Sequence, residues 1–341
     1  MSASRIAPAL LCVLLGACSA SPQHSEHPPV VIEQSPRIAQ PPRAEYALGV
    51  LPPPLRRVRW PAPPRVRREV ELRGAAITQS NVRVRVRGDV PRLEVRADDV
   101  DLVLDPDARV GHLVVARGQR RLRVTGGRFG FIELPVPAQH HPPPAVWRRD
   151  WLVEDVTFDG VEVEASDSGF FLRGRRIALL RSRVRAERYS VWCGDTQDFH
   201  SEDLVLAGNR FESAGPEATV RLVNVRRAVV VDNVLVNSIK HDFRVHGDSD
   251  RVVFARNRLL NTGIMIGSMD GDRIGTVWIL DNTLHHNVPS LFEAEPQRVR
   301  QLVVRGNQVF SDVWRCFVCN RAPEGWDIAE HVVAPYRAPE P

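Results

Sequence analysis

Five asparagines, at positions 209, 233, 257, 282 and 307, are spaced 24, 24, 25 and 25 residues apart. Each ends a short β-prone run of one shape: Leu204-Val205-Leu206-Ala207-Gly208-Asn209, Val229-Val230-Val231-Asp232-Asn233, Val252-Val253-Phe254-Ala255-Arg256-Asn257, Val277-Trp278-Ile279-Leu280-Asp281-Asn282 and Leu302-Val303-Val304-Arg305-Gly306-Asn307. Self-similarity at a fixed period of this size marks a chain of stacked units, none of which can bury its apolar face alone. Upstream, Asp155 before Val156-Thr157-Phe158 and Ser182 before Arg183-Val184 carry the same shape with other residues at the Asn site. Gly127-Arg128-Phe129 reads as a still earlier coil. Val82-Arg83-Val84-Arg85-Val86 alternates at period two, which predicts valines inside and arginines outside. No long stretch has helical period.

A period near 24 residues with three short β runs resembles the right-handed parallel β-helix of the pectate-lyase-like superfamily. The resemblance implies three strands per coil, with asparagines stacked at one internal turn. Asn tolerates left-handed backbone at a sharp turn, and its amide reaches the next Asn at the strand spacing of about 4.8 Å. The Leu-x-x-Leu-x-Leu pattern of leucine-rich repeats is absent. The expected fold is all-β, a single right-handed parallel β-helix over 66–320 with an internal Asn ladder, followed by a cap and tail over 321–341. This architecture hosts lyases, hydrolases, epimerases and adhesins, so function must come from the site.

The first residues read as a targeting segment. Arg5 precedes an apolar stretch from Ile6 to Leu15 that is too short to span a bilayer. Leu15-Gly16-Ala17-Cys18 resembles a bacterial lipoprotein signal. The resemblance implies removal of 1–17 and lipidation of Cys18, and Ser19 after it favours the outer membrane, facing the periplasm or the cell surface. Residues 19–65 hold 12 prolines in 47 positions. Such a stretch favours extended polyproline II segments of about 3.1 Å per residue, so 18–65 is expected to be a disordered tether. No apolar run reaches about 18 residues elsewhere, which argues against a spanning helix. A formal charge of +5 without basic clusters interleaved with aromatics argues against nucleic acid. A monomer held to the membrane through Cys18 is the expected state.

Aligning the strand after each Asn turn gives an outward column of Phe171, Trp192, Arg221, Arg244, Met265, Phe292 and Phe317. Aromatic faces stack on sugar rings and arginine forks pair with carboxylates or sulfates, which suits a groove for an acidic polysaccharide. Phe171, Trp192, Arg221, Met265 and Phe292 are the candidate binding residues, unless a loop over 130–150 covers them. The richest rung is Lys240-His241-Asp242-Phe243-Arg244-Val245-His246. Alternation places Asp242, Arg244 and His246 outward, with Lys240 and His241 at the entering turn. Of the 46 basic residues, Lys240 is the single lysine. Lysine differs from arginine in a pKa that burial or neighbouring cations lower, so it can serve as a base.

Asp248, Asp250, Asp270 and Asp272 follow neighbouring rungs and could hold Ca²⁺, which takes six to eight oxygens. Otherwise no cofactor is expected. Cys193 is expected in the core, while Cys316 and Cys319 could pair with each other in an oxidising compartment. Two function classes follow. The first binds and cleaves an acidic polysaccharide by elimination at uronic acid sugars, with Lys240, His241, Asp242, Arg244 and His246 as the catalytic candidates. Hydrolysis, which needs two placed carboxylates, is weaker. The second is a non-catalytic glycan-binding or structural adhesin lipoprotein.

Overall fold

The computed structural model describes residues 58–134, 152–194, 200–237, 241–260, 263–286, 292–312, 326–329 and 332–335. The lipobox with Cys18, the chain up to residue 57, most of the 130–150 loop, Lys240, Cys316, Phe317 and Cys319 lie outside the described residues.

Among the described residues the chain is all β, with no helix, and its strand pairs are parallel. The strands stack into a right-handed parallel β-helix with three faces. A first sheet of twelve strands runs from Arg68–Glu71 through strands such as Val82–Val86, Gly174–Leu180 and Val225–Val231 to Val299–Arg305 and Asp327–Ile328. A second face carries the short strands after the Asn turns, among them Arg210–Ser213, Val234–Asn237 and Thr283–His286. A third face carries Phe170–Leu172, Val191–Gly194, Ala218–Val223, His241–His246, Gly263–Ile266 and Phe292–Ala294, each paired with the next.

The period-two reading holds at Val82–Val86, where the valines are buried and the arginines exposed. One core runs the length of the coil, built from alternate residues of all three faces. In the early coils the second and third faces are one long bent strand. Arg128–Glu133 pairs with Glu162–Ala165 at its start and with Phe170–Leu172 at its end. The bend needs a close approach of backbones: a Cβ on Gly130 would lie 2.5 Å from the Gly111 carbonyl oxygen.

The five asparagines are buried and stacked. Asn257 is typical. Its Oδ1 accepts the backbone N–H of Asn233 at 3.0 Å and the Asn233 Nδ2 at 3.0 Å. Its own Nδ2 donates to the Val230 carbonyl at 2.9 Å and to Asn282 Oδ1 at 3.1 Å. Ser182 continues the ladder upstream, its N–H donating to Asn209 Oδ1 at 2.9 Å.

Two details differ from expectation. The left-handed residue of each turn is the one before the asparagine: Gly208, Asp232, Arg256, Asp281 and Gly306 all have positive φ, and the asparagines do not. Asn is selected at its site by its hydrogen bonds rather than by its backbone tolerance. Asp155 is not on the ladder, because Val161 aligns with Ser182, donating its N–H to the serine hydroxyl.

Asp155 belongs instead to a second left-handed corner, at the entry to the first sheet. That corner reads Asn81, Asp99, Arg121, Asp155, Arg176, Asp203, Arg227 and Arg251, all with φ between 53° and 62°. Left-handed backbone is strained for arginine. Here bidentate ion pairs hold it: Arg121 on Asp99, Arg176 on Asp155 and Arg227 on Asp203. The same three aspartates take backbone N–H groups from the end of the proline-rich stretch, from Arg65, Ala62 and Arg59 respectively. Residues 58–65 therefore lie along the solenoid and do not hang free as the composition suggested.

Candidate functional site

The third face carries the expected outward column. Strand register places Phe171 beside Trp192, Trp192 beside Arg221, Arg221 beside Arg244 and Arg244 beside Met265. The flanking residues Phe170, Leu172, Val191, Cys193, Val220, Leu222, Phe243, Val245, Ile264 and Ile266 enter the core. Burial of the Cys193 thiol pushes its pKa up to about 12. At the next rung the register corrects the sequence reading. Met265 pairs with Glu293, while Phe292 pairs with the core residue Ile264. The register position that continues the column at this rung is thus held by Glu293, not Phe292. A slip of one residue exchanges the two faces of a strand, so local pattern alone does not fix the position of a rung.

The column also starts earlier than the alignment showed. Phe171 pairs upstream with Glu133. Phe131 packs edge-on against Phe171 with centroids 5.3 Å apart, and Phe171 edge-on against Trp192 at 5.4 Å. His112 packs at a tilt against Phe131, with centroids 4.9 Å apart, and its Nε2 lies 3.1 Å from Glu133 Oε2. These residues were missed because their strands are long and bent and do not share the three-run shape of later coils.

The aromatic row ends on a guanidinium. The Arg221 carbon centre sits 4.9 Å from the Trp192 ring centroid and 5.7 Å from that of Tyr189. Arg221 NH1 donates to the Tyr189 hydroxyl at 2.9 Å, and NH2 points to Met269 Sδ at 3.4 Å. Tyr189 is buried, and burial pushes its phenol pKa up, against the opposing pull of Arg221. Neither Tyr189 nor Glu217 was a sequence candidate. Both sit at corners just before a column strand, where extending the alignment by a few residues would have reached them.

The charged rung His241–His246 is a buried network, where the sequence reading had an open cluster. All six residues are buried. Arg244 NH1 donates to Glu217 Oε2 at 3.3 Å, and its NH2 lies 3.0 Å from His241 Nδ1. A bulge between His241 and Phe243 places His241 inside the strand and not at its entering turn. Asp242 takes the Thr219 hydroxyl at 3.2 Å and is fully buried. His246 Nδ1 lies 3.2 Å from Asp272 Oδ2. A carboxylate only accepts, so Nδ1 carries the hydrogen and Nε2 the lone pair. Burial pushes the His246 pKa below its ordinary value. Asp272 works against this, and Arg221 and Arg244 add to it. The imidazole is therefore neutral at neutral pH.

The turn at Met269–Asp272 forms the lower edge of the site. Asp272 accepts the N–H groups of Gly247 at 2.7 Å and Met269 at 2.9 Å. A cleft of about 430 Å³ opens there, with His200, His246, Met269 and Asp272 in its wall. The acidic residues expected to hold Ca²⁺ are spread over separate ion pairs. Asp248 pairs with His200 and Arg226, Asp250 with Arg251 and Arg300, and Asp270 with Arg298, while Asp272 holds His246. Among the described residues no three metal-ligating side chains converge.

No protein-family model matches this chain. No curated protein matches it either. Two solved structures of PfbA, a surface adhesin of Streptococcus pneumoniae, are similar to it at 11% sequence identity. One has a TM-score of 0.47 and covers 73% of this chain and 70% of that one. The other has a TM-score of 0.48, covering 78% of this chain and 77% of that one.

Proposed function

We propose that this protein is a non-catalytic surface module that binds acidic glycans along its third face. The observation that carries the reading is the seating of Arg221 over Trp192 at the end of the Phe131–Phe171–Trp192 row. An aromatic row offers planar apolar surface to successive sugar rings, and the adjoining guanidinium offers a fork to a carboxylate or sulfate. Phe171, Trp192, Arg221 and Met265 are all partly exposed, as a binding surface requires. Envelope placement by a lipid on Cys18, at the outer membrane, rests on the Leu15–Cys18 motif and belongs to the same proposal.

A second reading, elimination at a uronic acid sugar, draws on one observation. His246 is neutral, oriented by Asp272, and close enough to Arg221 and Arg244 to feel their charge. A neutral imidazole beside two cations could take a proton from a carbon next to a neutralised carboxylate. The burial of His241, Asp242, Arg244 and His246 weighs against it, since a base must touch its substrate.

The test is titration of the protein with polygalacturonate, alginate and hyaluronate against neutral glucans, with ultraviolet absorbance recorded for unsaturated uronide. The expected result is saturable binding to an acidic glycan, weakened about tenfold or more in both Trp192→Ala and Arg221→Ala, with no growth in absorbance. Growth in absorbance would move the assignment to the lyase. Binding that ignores both substitutions would refute this face as the site.

A further inference from the structure

The outer face of the first sheet is apolar where a solvated solenoid would be polar. Its early rungs carry Arg83, Asp101 and Arg123 outward. From Gly174–Leu180 onward the outward positions become Ala178 and Leu180, Val205 and Ala207, Val229 and Val231, Val253 and Ala255, then Trp278 and Leu280. They form a cluster separate from the main core. Val205, Val229, Val231 and Val253 have no exposed surface at all, although they point away from the core. The described members of this cluster outside the sheet are Val58 and Trp60. Two side chains do not cover five rungs.

The strap formed by residues 58–65 shows how the rest is covered. Its N–H groups at Arg65, Ala62 and Arg59 meet Asp99, Asp155 and Asp203, so every third residue meets every second rung. Three polyproline II residues advance about 9.3 Å, and two rungs advance about 9.6 Å. The two periods match, so the strap stays in register as it runs against the order of the coils. The residue before each donor is Pro64, Pro61 and Val58, and the same spacing continues upstream to Leu55 and Pro52. An apolar side chain thus recurs at every third position, in step with every second rung.

We propose that the outer face of the first sheet is a docking surface for this chain's own proline-rich segment, with residues 52–57 continuing the strap over the Val229, Val253 and Trp278 rungs. Three rungs beyond Asp203 need about 14 Å, which about five polyproline II residues span. The folded unit then begins near Pro52, and the chain enters beside the later coils. A free segment upstream of Val58, by contrast, would leave Leu55 and the Val229, Val253 and Trp278 rungs in water.

Limited trypsin digestion of the full-length protein tests this, because arginines bracket the segment. Arg37 and Arg43 precede it, and Arg56 and Arg57 lie inside it. Fragments beginning at Ile38 or Ala44 are expected to persist. Cleavage after Arg56 or Arg57 is expected to be about tenfold slower or more than after Arg43, since the strap must open first. Leu55→Asp, which alters no residue of the sheet, should remove that protection while the far-ultraviolet spectrum stays unchanged. Equal cleavage at Arg43 and Arg57 in the unaltered protein would overturn the proposal. So would full protection in Leu55→Asp. A second copy seated on the face would appear as a concentration-dependent dimer with Arg57 open to trypsin, and this too would overturn it.

Discussion

Replacing Asn257 with leucine keeps the size of the side chain and removes its amide from the middle of the ladder. The structure says which groups lose partners. The backbone N–H of Asn233 loses its acceptor and is left buried. The Asn233 Nδ2 keeps the Leu206 carbonyl, and Asn282 Oδ1 keeps the backbone N–H of residue 257. The Val230 carbonyl loses the Asn257 amide. One fully orphaned donor costs about 2 kcal/mol, and three lost bonds whose partners keep other contacts cost about 1 kcal/mol each. Extra buried methyl surface returns about 1–2 kcal/mol. The net expectation is a loss of about 3 kcal/mol, read as a lower urea midpoint by tryptophan fluorescence and as faster exchange of the Asn233 and Asn257 amides. Asn257→Asp should be no milder, because it sets a carboxylate oxygen against the Val230 carbonyl and Asn282 Oδ1. An unchanged midpoint in Asn257→Leu, or a milder effect in Asn257→Asp, would refute the account of the ladder as a chain of satisfied amides.

Asp155→Asn should cost about 1–3 kcal/mol, since Arg176 and the Ala62 N–H both depend on that carboxylate; an unfolding midpoint equal to that of the unaltered protein would count against the clamp. Burial, with Arg221 and Arg244, outweighs the opposing Asp272 contact and leaves the His246 pKa lowered, so the unfolded chain binds more protons below its ordinary value of about 6.5. The stability owed to neutral His246 should therefore be complete above about pH 6.5 and decline as pH falls, and His246→Gln should flatten this slope in urea titrations. The depressed carboxyls of Asp99 and Asp155, held down by Arg121 and Arg176, add a second decline below about pH 4, where the unfolded chain takes up protons first. Gly194→Ala should cost more than about 2 kcal/mol by thermal unfolding, because the residue has φ of 85° and its Cβ would lie 1.7 Å from the Val223 carbonyl oxygen.

The sequence alone determined the coil. Stacked rungs repeat their inward apolar positions at one spacing, so the period of Asn209 to Asn307 and the alternation at Val82–Val86 were legible as stacking. The column Phe171, Trp192, Arg221, Arg244 and Met265 followed, because a single alignment carries side-chain direction from rung to rung. Tertiary structure decided what period cannot encode. The bulge at Asp242 drew His241 into the strand, and the turn at Met269–Asp272 gave His246 its carboxylate, both through contacts between residues of different coils. Glu293 took the register position expected of Phe292, because register is set by the neighbouring strand and not by local pattern. The strap was invisible for a related reason. Proline-rich composition predicts an extended backbone equally for a free tether and for a docked one. Only the match between its rise and the rungs, with aspartates at every second corner, distinguishes the two.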